Sequence, residues 1–271
     1  MKDALVVSML SVLPRKRTSR LGGLFARSRL SRWITRWFVR TWKINLLEAE
    51  NADLYAYQSL NDLFTRRLKP GIRPIDRTPG ALTSPCDAVV GWVGRTQHGA
   101  LTLHGQPQPI APMIGESVSD EVDAIVLYLS PRDYHRVHVP LDTMLEQATY
   151  MPGDFWPVRP SLLARRPAVL PRNERLTVSM QTAEVRHHLV MVGAFGVGRI
   201  ELHHGPVPFP EDAETHHLQC AVAAGDELGT FHLGSTVVIV SPAGTWSWDI
   251  SEGDRVRVGE RLARPSPDAS A

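Results

Sequence analysis

The sequence predicts an α+β fold: an amino-terminal amphipathic helical region followed by a mostly β, sandwich-like body of short strands. Three observations carry this expectation. Across residues 29–43, at about 100° per residue, Arg29, Arg32, Arg36, Arg40 and Lys43 form one stripe, and Leu30, Ile34, Trp37, Phe38 and Trp42 fall on the other side. From residue 69 the chain changes to short β-type runs separated by Gly, Pro and Asp. Within Phe231–Val240, the flexible pair Gly234-Ser235 enters an apolar β-branched run that reads as a buried strand.

The 271 residues suffice for one large domain or two small ones. Two cysteines, Cys86 and Cys220, make no disulfide framework and fit a reducing compartment. The net charge is only +2, but it is distributed unevenly. Residues 1–43 hold eleven Lys and Arg against Asp3 alone, a segment charge of +10, which leaves −8 for the rest. A basic arm on an acidic body calls for an anionic partner, nucleic acid or a membrane surface. The apolar start, Ala4 to Leu13, is interrupted by Ser8 and Ser11 and stopped by Pro14. It falls short of the ~20 apolar residues of a spanning helix. No small-residue cleavage site follows it, so a secretory signal is not expected.

Taken in order, the helix over 29–43 decides between the two partners. A basic stripe backed by aromatics, with Trp33 at the boundary, is the pattern of a helix lying in a membrane interface. The same face could instead dock on the protein's own domain. Nucleic acid is set aside because basics and aromatics are segregated, not interleaved. A polar stretch, Glu48 to Asp53, leads to a helix over Leu60–Leu68, broken by Lys69-Pro70-Gly71-Ile72-Arg73-Pro74. Strands are expected at Val89–Val93, Ala124–Leu129, Leu145–Tyr150, Leu176–Met180, Val185–Val192 and Val237–Val240. Gly225-Asp226-Glu227-Leu228-Gly229 and Gly253–Gly259 look like variants of one turn-and-strand unit. Pro160–Arg175 is expected to be a surface loop near a site. The tail from 265 to 271 is expected to fray. Domain boundaries follow: a membrane-associating helical region at 1–68 and a β-rich catalytic domain at 69–264.

Three places combine ionisable groups with turn residues: Ser84-Pro85-Cys86-Asp87-Ala88, the stretch Ser130 to Pro140 with His135 and His138, and Gly234-Ser235. Asp, His and Ser are what an activated hydroxyl needs. A glycine beside a hydroxyl residue leaves its carbonyl open to attack. Singly, each has another explanation: Asp87 an Asx turn, the histidines half-buried polar groups. On a regular strand His135 and His138 would face apart. Adjacent histidine pairs (His187-His188, His203-His204, His216-His217) lack ligand spacing, so no metal site is expected. No phosphate-binding glycine loop is present: Val192–Gly198 opens no helix.

The segments Leu60–Asp76, Ser84–Ala88, Tyr128–Pro140, Gly153-Asp154-Phe155, Arg172–Arg175, Val192–Ile200 and Gly229–Val238 occur together and in order. In them the chain resembles the bacterial phosphatidylserine decarboxylases from about Leu13 to Ala263. One departure is Ala88, where that family usually carries Gly; the stretch between Gly94 and Asp123 is also shorter. The resemblance implies a self-processing enzyme dependent on a covalent pyruvoyl group, derived from Ser235 by cleavage between Gly234 and Ser235. The large (1–234) and small (235–271) chains would stay associated. It further implies that His138, oriented by Asp87, draws the proton from Ser235, and that His135, or Tyr128, reprotonates the product carbon. The substrate would be phosphatidylserine, and the enzyme would sit peripherally on the cytoplasmic side of the cell membrane, on anionic phospholipid. A hydrolase using Asp87, His138 and Ser235 without self-cleavage is the competing expectation.

Overall fold

The computed structural model describes residues 14–183, 185–196, 199–204, 214–232 and 234–267. The apolar start, the end of the tail and part of the Val192–Ile200 segment therefore lie outside the described residues. The helical region begins with Arg15–Arg27, followed by a 3₁₀ turn at Arg29–Ser31 and the helix Arg32–Trp42, which ends at Lys43 in a left-handed conformation. A short helix, Leu60–Phe64, is capped by Ser59, whose hydroxyl accepts the Asp62 amide. These helices share a small core of Ala26, Ile44, Tyr57, Leu60 and Leu63, with Ile34, Phe38 and Val39 packed against it.

The β body follows. Its first strands are β1 (Leu82–Thr83), β2 (Ala88–Arg95), β3 (Ala100–Leu103), β4 (Gln106–Pro109), β5 (Val122–Leu129), β6 (Arg136–His138), β7 (Thr143–Met151) and β8 (Arg175–Gln181). Then come β9 (Arg186–Gly193), β10 (Ile200–Leu202), β11 (Glu214–Val222), β12 (Glu227–Phe231), β13 (Ser235–Pro242), β14 (Trp246–Trp248), β15 (Arg255–Val256) and β16 (Arg261–Pro265). Eight of them form one sheet in the order β11-β7-β8-β9-β13-β5-β2-β15. Two three-stranded sheets, β1-β16-β14 and β10-β12-β6, and the β3-β4 hairpin complete the body.

Each of the six expected strands is present, and the sandwich-like expectation has a physical basis. One face of the large sheet packs Leu127, Leu129, Val237 and Ile239 against Val137, Leu228, Phe231 and Leu262 of the small sheets. The other face packs Val126, Val190, Val238 and Val240 against the hairpin, the helix Ile110–Ile114 and the segment around Trp156. β13 is thus buried on both faces, which explains its unbroken apolar run. Ala88 is fully buried in the first core, its methyl absorbed by packing.

The turn-and-strand pseudo-repeat is real at the level of the turn. Gly225 and Gly253 have φ of 94° and 93°. The following residues, Asp226 and Asp254, each accept an amide three positions back, from Ala223 and Ser251, both at 2.8 Å. The strands that follow join different sheets, β12 with β6 and β10, and β15 with β2.

Candidate active site

β5 pairs with β13 in the large sheet, and β6 pairs with β12 in a small one, both antiparallel. The connections β5→β6 and β12→β13 therefore cross side by side from one sheet to the other. Ser235 stands opposite Leu129 at one end of this crossing. At the other end the Phe231 amide donates to the His135 carbonyl at 3.0 Å. A hundred residues of sequence separate His135 from Ser235, and the topology brings both to one junction.

The β5→β6 turn is closed by Asp133, whose Oδ2 accepts from the Ser130 amide at 2.8 Å and the Ser130 hydroxyl at 2.7 Å. The Asp133 carbonyl lies 2.8 Å from His135 Nδ1. A carbonyl only accepts, so Nδ1 carries the proton and Nε2 the lone pair. Among the described residues, His135 Nε2 is buried without a hydrogen-bond partner, and so is Ser235 Oγ. The imidazole lies against Phe64, ring centroids 3.9 Å apart. Burial, helped by the Arg66 guanidinium, holds the His135 pKa down at about 3, so the ring is neutral at neutral pH.

His138 ends β6 and is oriented differently. Its Nδ1 lies 2.8 Å from the Gly225 carbonyl, and its Nε2 lies 3.2 Å from the Tyr134 hydroxyl. Burial lowers its pKa. Asp87 is held elsewhere: Arg73 reaches it through Nε at 3.0 Å and Nη2 at 2.6 Å, and the Val258 amide donates at 3.0 Å. Arg73 also reaches Glu48 at 2.6 Å. The expected Asp87–His138 hydrogen bond is thus replaced by other partners on both sides. A register shift between Glu227 and Gly229 of β12 accompanies the approach of the 224–226 turn to His138. The planar fork of Arg73 matches a carboxylate bidentately. Asp87 lines a cavity of about 710 Å³ and His138 one of about 230 Å³, with Tyr134 and Arg73 lining both.

Gly234 is not in a left-handed conformation, and a Cβ built there meets nothing within 4 Å. The backbone there is neither left-handed nor crowded where a side chain would stand. On the other side of Ser235 stands Gly193 of β9. The Gly193 amide donates to the Glu174 carbonyl at 2.8 Å, and its carbonyl accepts from Asn173 Nδ2 at 2.9 Å. Asn173 also holds Trp156 by two hydrogen bonds, and Gly153 is packed so tightly on residues 172–174 that no side chain fits. The motifs around Gly153, Asn173 and Val192 therefore build one frame beside Ser235. Pro160–Arg175 begins as the helix Pro160–Leu163 and buries Leu162, Leu163, Val169 and Leu170. Tyr128 pairs with Thr236 and packs on the opposite face of the sheet from Leu129.

Arg73, Tyr134 and the Gly225 carbonyl are the site components that sequence reading missed. Arg73 and Tyr134 lie inside the motifs quoted above, but no spacing rule ties them to Asp87 or His138.

Comparison with known proteins places the chain in a family. Residues 60–264 match the sequence model of the family described as phosphatidylserine decarboxylase. A phosphatidylserine decarboxylase proenzyme of Pseudomonas putida KT2440 is 35% identical over 292 aligned positions, covering 98% of this chain and 99% of that protein. That of Pseudomonas fluorescens Pf-5 is 35% identical, covering 99% of this chain and all of that protein. With its fold, its ordered motifs and these relatives together, the chain belongs to the phosphatidylserine decarboxylase family.

Proposed function

We propose that the protein decarboxylates phosphatidylserine to phosphatidylethanolamine and CO2, using a pyruvoyl group made from its own Ser235. The observation that carries this reading is the pair of buried atoms, Ser235 Oγ and His135 Nε2, that lack partners among the described residues and lie at one junction beside Gly234. An unpaired buried hydroxyl is costly to keep. Converting Ser235 to a pyruvoyl group removes that hydroxyl, and the residues present fit the group on this ground.

In processing, Ser235 Oγ attacks the Gly234 carbonyl carbon while His138 Nε2, released from Tyr134, takes the hydroxyl proton. The amide C–N bond breaks as the ester forms, and the leaving nitrogen takes that proton from His138. Loss of the Ser235 Cα proton and cleavage of its Cβ–Oγ bond release Gly234 as a carboxylate. Water then replaces nitrogen at position 235, and ammonia leaves. The pyruvoyl group supplies the electron sink that no standard side chain offers. His135, neutral and with the Nε2 lone pair open, takes a proton at that atom from water and passes it to the substrate carbon after CO2 departs.

β13 lies between β9 and β5, β15 pairs with β2, and β16 with β1. The chain from 235 onward therefore stays clasped after the cut. Leu21, Leu24, Phe25, Trp33 and Trp37 on the two long helices, and Leu30 in the turn between them, stand exposed among their arginines, which supports peripheral binding to the anionic cytoplasmic face of the cell membrane.

Purified protein added to phosphatidylserine vesicles is expected to release CO2 and form phosphatidylethanolamine, and Ser235→Ala is expected to abolish both. The hydrolase alternative requires an uncut chain of about 30 kDa that cleaves esters, and finding one would replace this reading.

A further inference from the structure

Arg66 is a buried cation whose guanidinium meets backbone carbonyls and no carboxylate directly. It is only 6% exposed, yet among the described residues it makes no ion pair. Its guanidinium reaches three backbone carbonyls: Leu63 at 3.5 Å, Arg132 at 3.0 Å and Asp133 at 3.3 Å. Its Nε is buried with no partner. Burial disfavours its charged form and lowers its pKa, against the opposing pull of nearby Tyr57, Asp87 and Asp133. Arg66 and His135 share the Asp133 carbonyl, so this unsatisfied charge sits next to the open imidazole.

Arg66 lines the cavity of about 710 Å³ that also holds Asp87 and Tyr134. Most carboxylates there are already engaged: Arg73 holds Asp87 and Glu48, and Arg255 holds Asp133 at 2.8 Å. Arg132 also stands 3.9 Å from Asp133, and Lys43, Arg66 and Arg257 remain, faced by Glu260, which accepts the Arg257 amide. A polar cavity with an excess of cations, one of them desolvated, is complementary to a phosphate-type anion. Lys43 terminates the helix that presents Trp33 and Trp37 outward, so the cavity adjoins the lipid-facing side of the molecule.

We propose that this cavity seats the phosphodiester of an anionic phospholipid headgroup, with Arg66 as the deep contact and Lys43 and Arg257 at the rim. Naming the substrate headgroup as occupant rests on the decarboxylase reading. The seat gives the reaction a reason to require a phosphodiester: the anion fixes the headgroup from one side while its serine end reaches the His135 junction.

The Ser235→Ala precursor, which cannot process itself, separates this inference from the catalytic one. Titrated calorimetrically, it is expected to bind glycerophosphoserine, to bind inorganic phosphate more weakly, and not to bind serine. The rim variant Lys43→Glu with Arg257→Glu, both exposed positions, is expected to weaken glycerophosphoserine about tenfold. In the processed enzyme the same rim variant should raise KM for short-chain phosphatidylserine by a similar factor while kcat stays within about twofold. Arg66→Lys, which keeps charge but loses the fork, should act in the same direction; if it does not fold, the rim variant decides. Glycerophosphoserine binding that ignores the rim variant would overturn the seat. Inorganic phosphate binding more tightly than glycerophosphoserine would overturn the lipid headgroup as its occupant.

Discussion

At the scale of single residues, the two histidines differ in which nitrogen is spoken for. Both present a protonated Nδ1 to a backbone carbonyl, but Nε2 of His138 meets Tyr134 while Nε2 of His135 meets nothing. We expect His135→Ala to be cut between Gly234 and Ser235 but to lose decarboxylation by at least about 10²-fold. His138→Ala should remain uncut, as read on a denaturing gel. An uncut His135→Ala would join the two roles into one. Gly153→Ala should be the opposite kind of change, chemically remote yet damaging. Its methyl would overlap the backbone of residues 172–174, shifting the frame on Gly193 and destabilising the fold by roughly 1–3 kcal/mol of overpacking, checked by urea unfolding. Asp87, His135, His138 and Ser235 were legible as residue types in turn contexts. Their partners were not, because Arg73, Tyr134 and the Gly225 carbonyl reach them through tertiary folding that periodicity does not encode.

At the scale of elements, the helix Arg32–Trp42 divides its aromatics. Ile34, Phe38 and Val39 pack inward, Phe38 lying 6.2 Å from Phe64, whereas Trp33 and Trp37 are 77% and 63% exposed. The single apolar face expected from sequence is therefore two faces, one docked on the protein and one open. Helical angles alone could not assign them, because the docked side is set by Leu60, Leu63 and Phe64 further along the chain. The two faces call for separate variants. Trp33→Asp with Trp37→Asp should keep the melting temperature and lose flotation with anionic vesicles at any salt. Phe38→Asp should instead cost about 3 kcal/mol or more of stability. For the unsubstituted protein, 1 M salt should loosen binding only in part, because screening removes the arginine contribution and leaves burial. Flotation of the folded Trp double variant would remove this face as the anchor. Strand recognition failed where patterning was weak. β11 is an edge strand that alternates exposed and half-buried residues, and β14, β15 and β16 are two to five residues long.

At the scale of the whole molecule, folding holds several histidines neutral, with a consequence for acid stability. His187 is buried with Nδ1 2.8 Å from the Ser241 hydroxyl and its ring stacked on Trp246, and burial holds its pKa down at about 4. The unfolded chain takes up this proton near pH 6.5, the folded chain only near 4. Stability from this group is thus complete above pH 6.5 and is lost as the pH falls from 6.5 toward 4, by up to ~3 kcal/mol. His135 acts in the same sense. Urea midpoints between pH 7 and 4.5 should fall, and His187→Gln should flatten the decline; an equal decline in both proteins would contradict this assignment.

The self-processing that underlies the proposed chemistry also belongs to this scale, because the proposed cut would fall at the start of a central strand and leave both products in one fold. Intact mass measurement of the purified protein, with amino-terminal sequencing of each chain, tests it most directly. The expected result is a chain ending at Gly234 and a 37-residue chain, residues 235–271, that is blocked to sequencing because it begins with a ketone. A single uncut chain after prolonged incubation, or a small chain with a free amino-terminal serine, would contradict it.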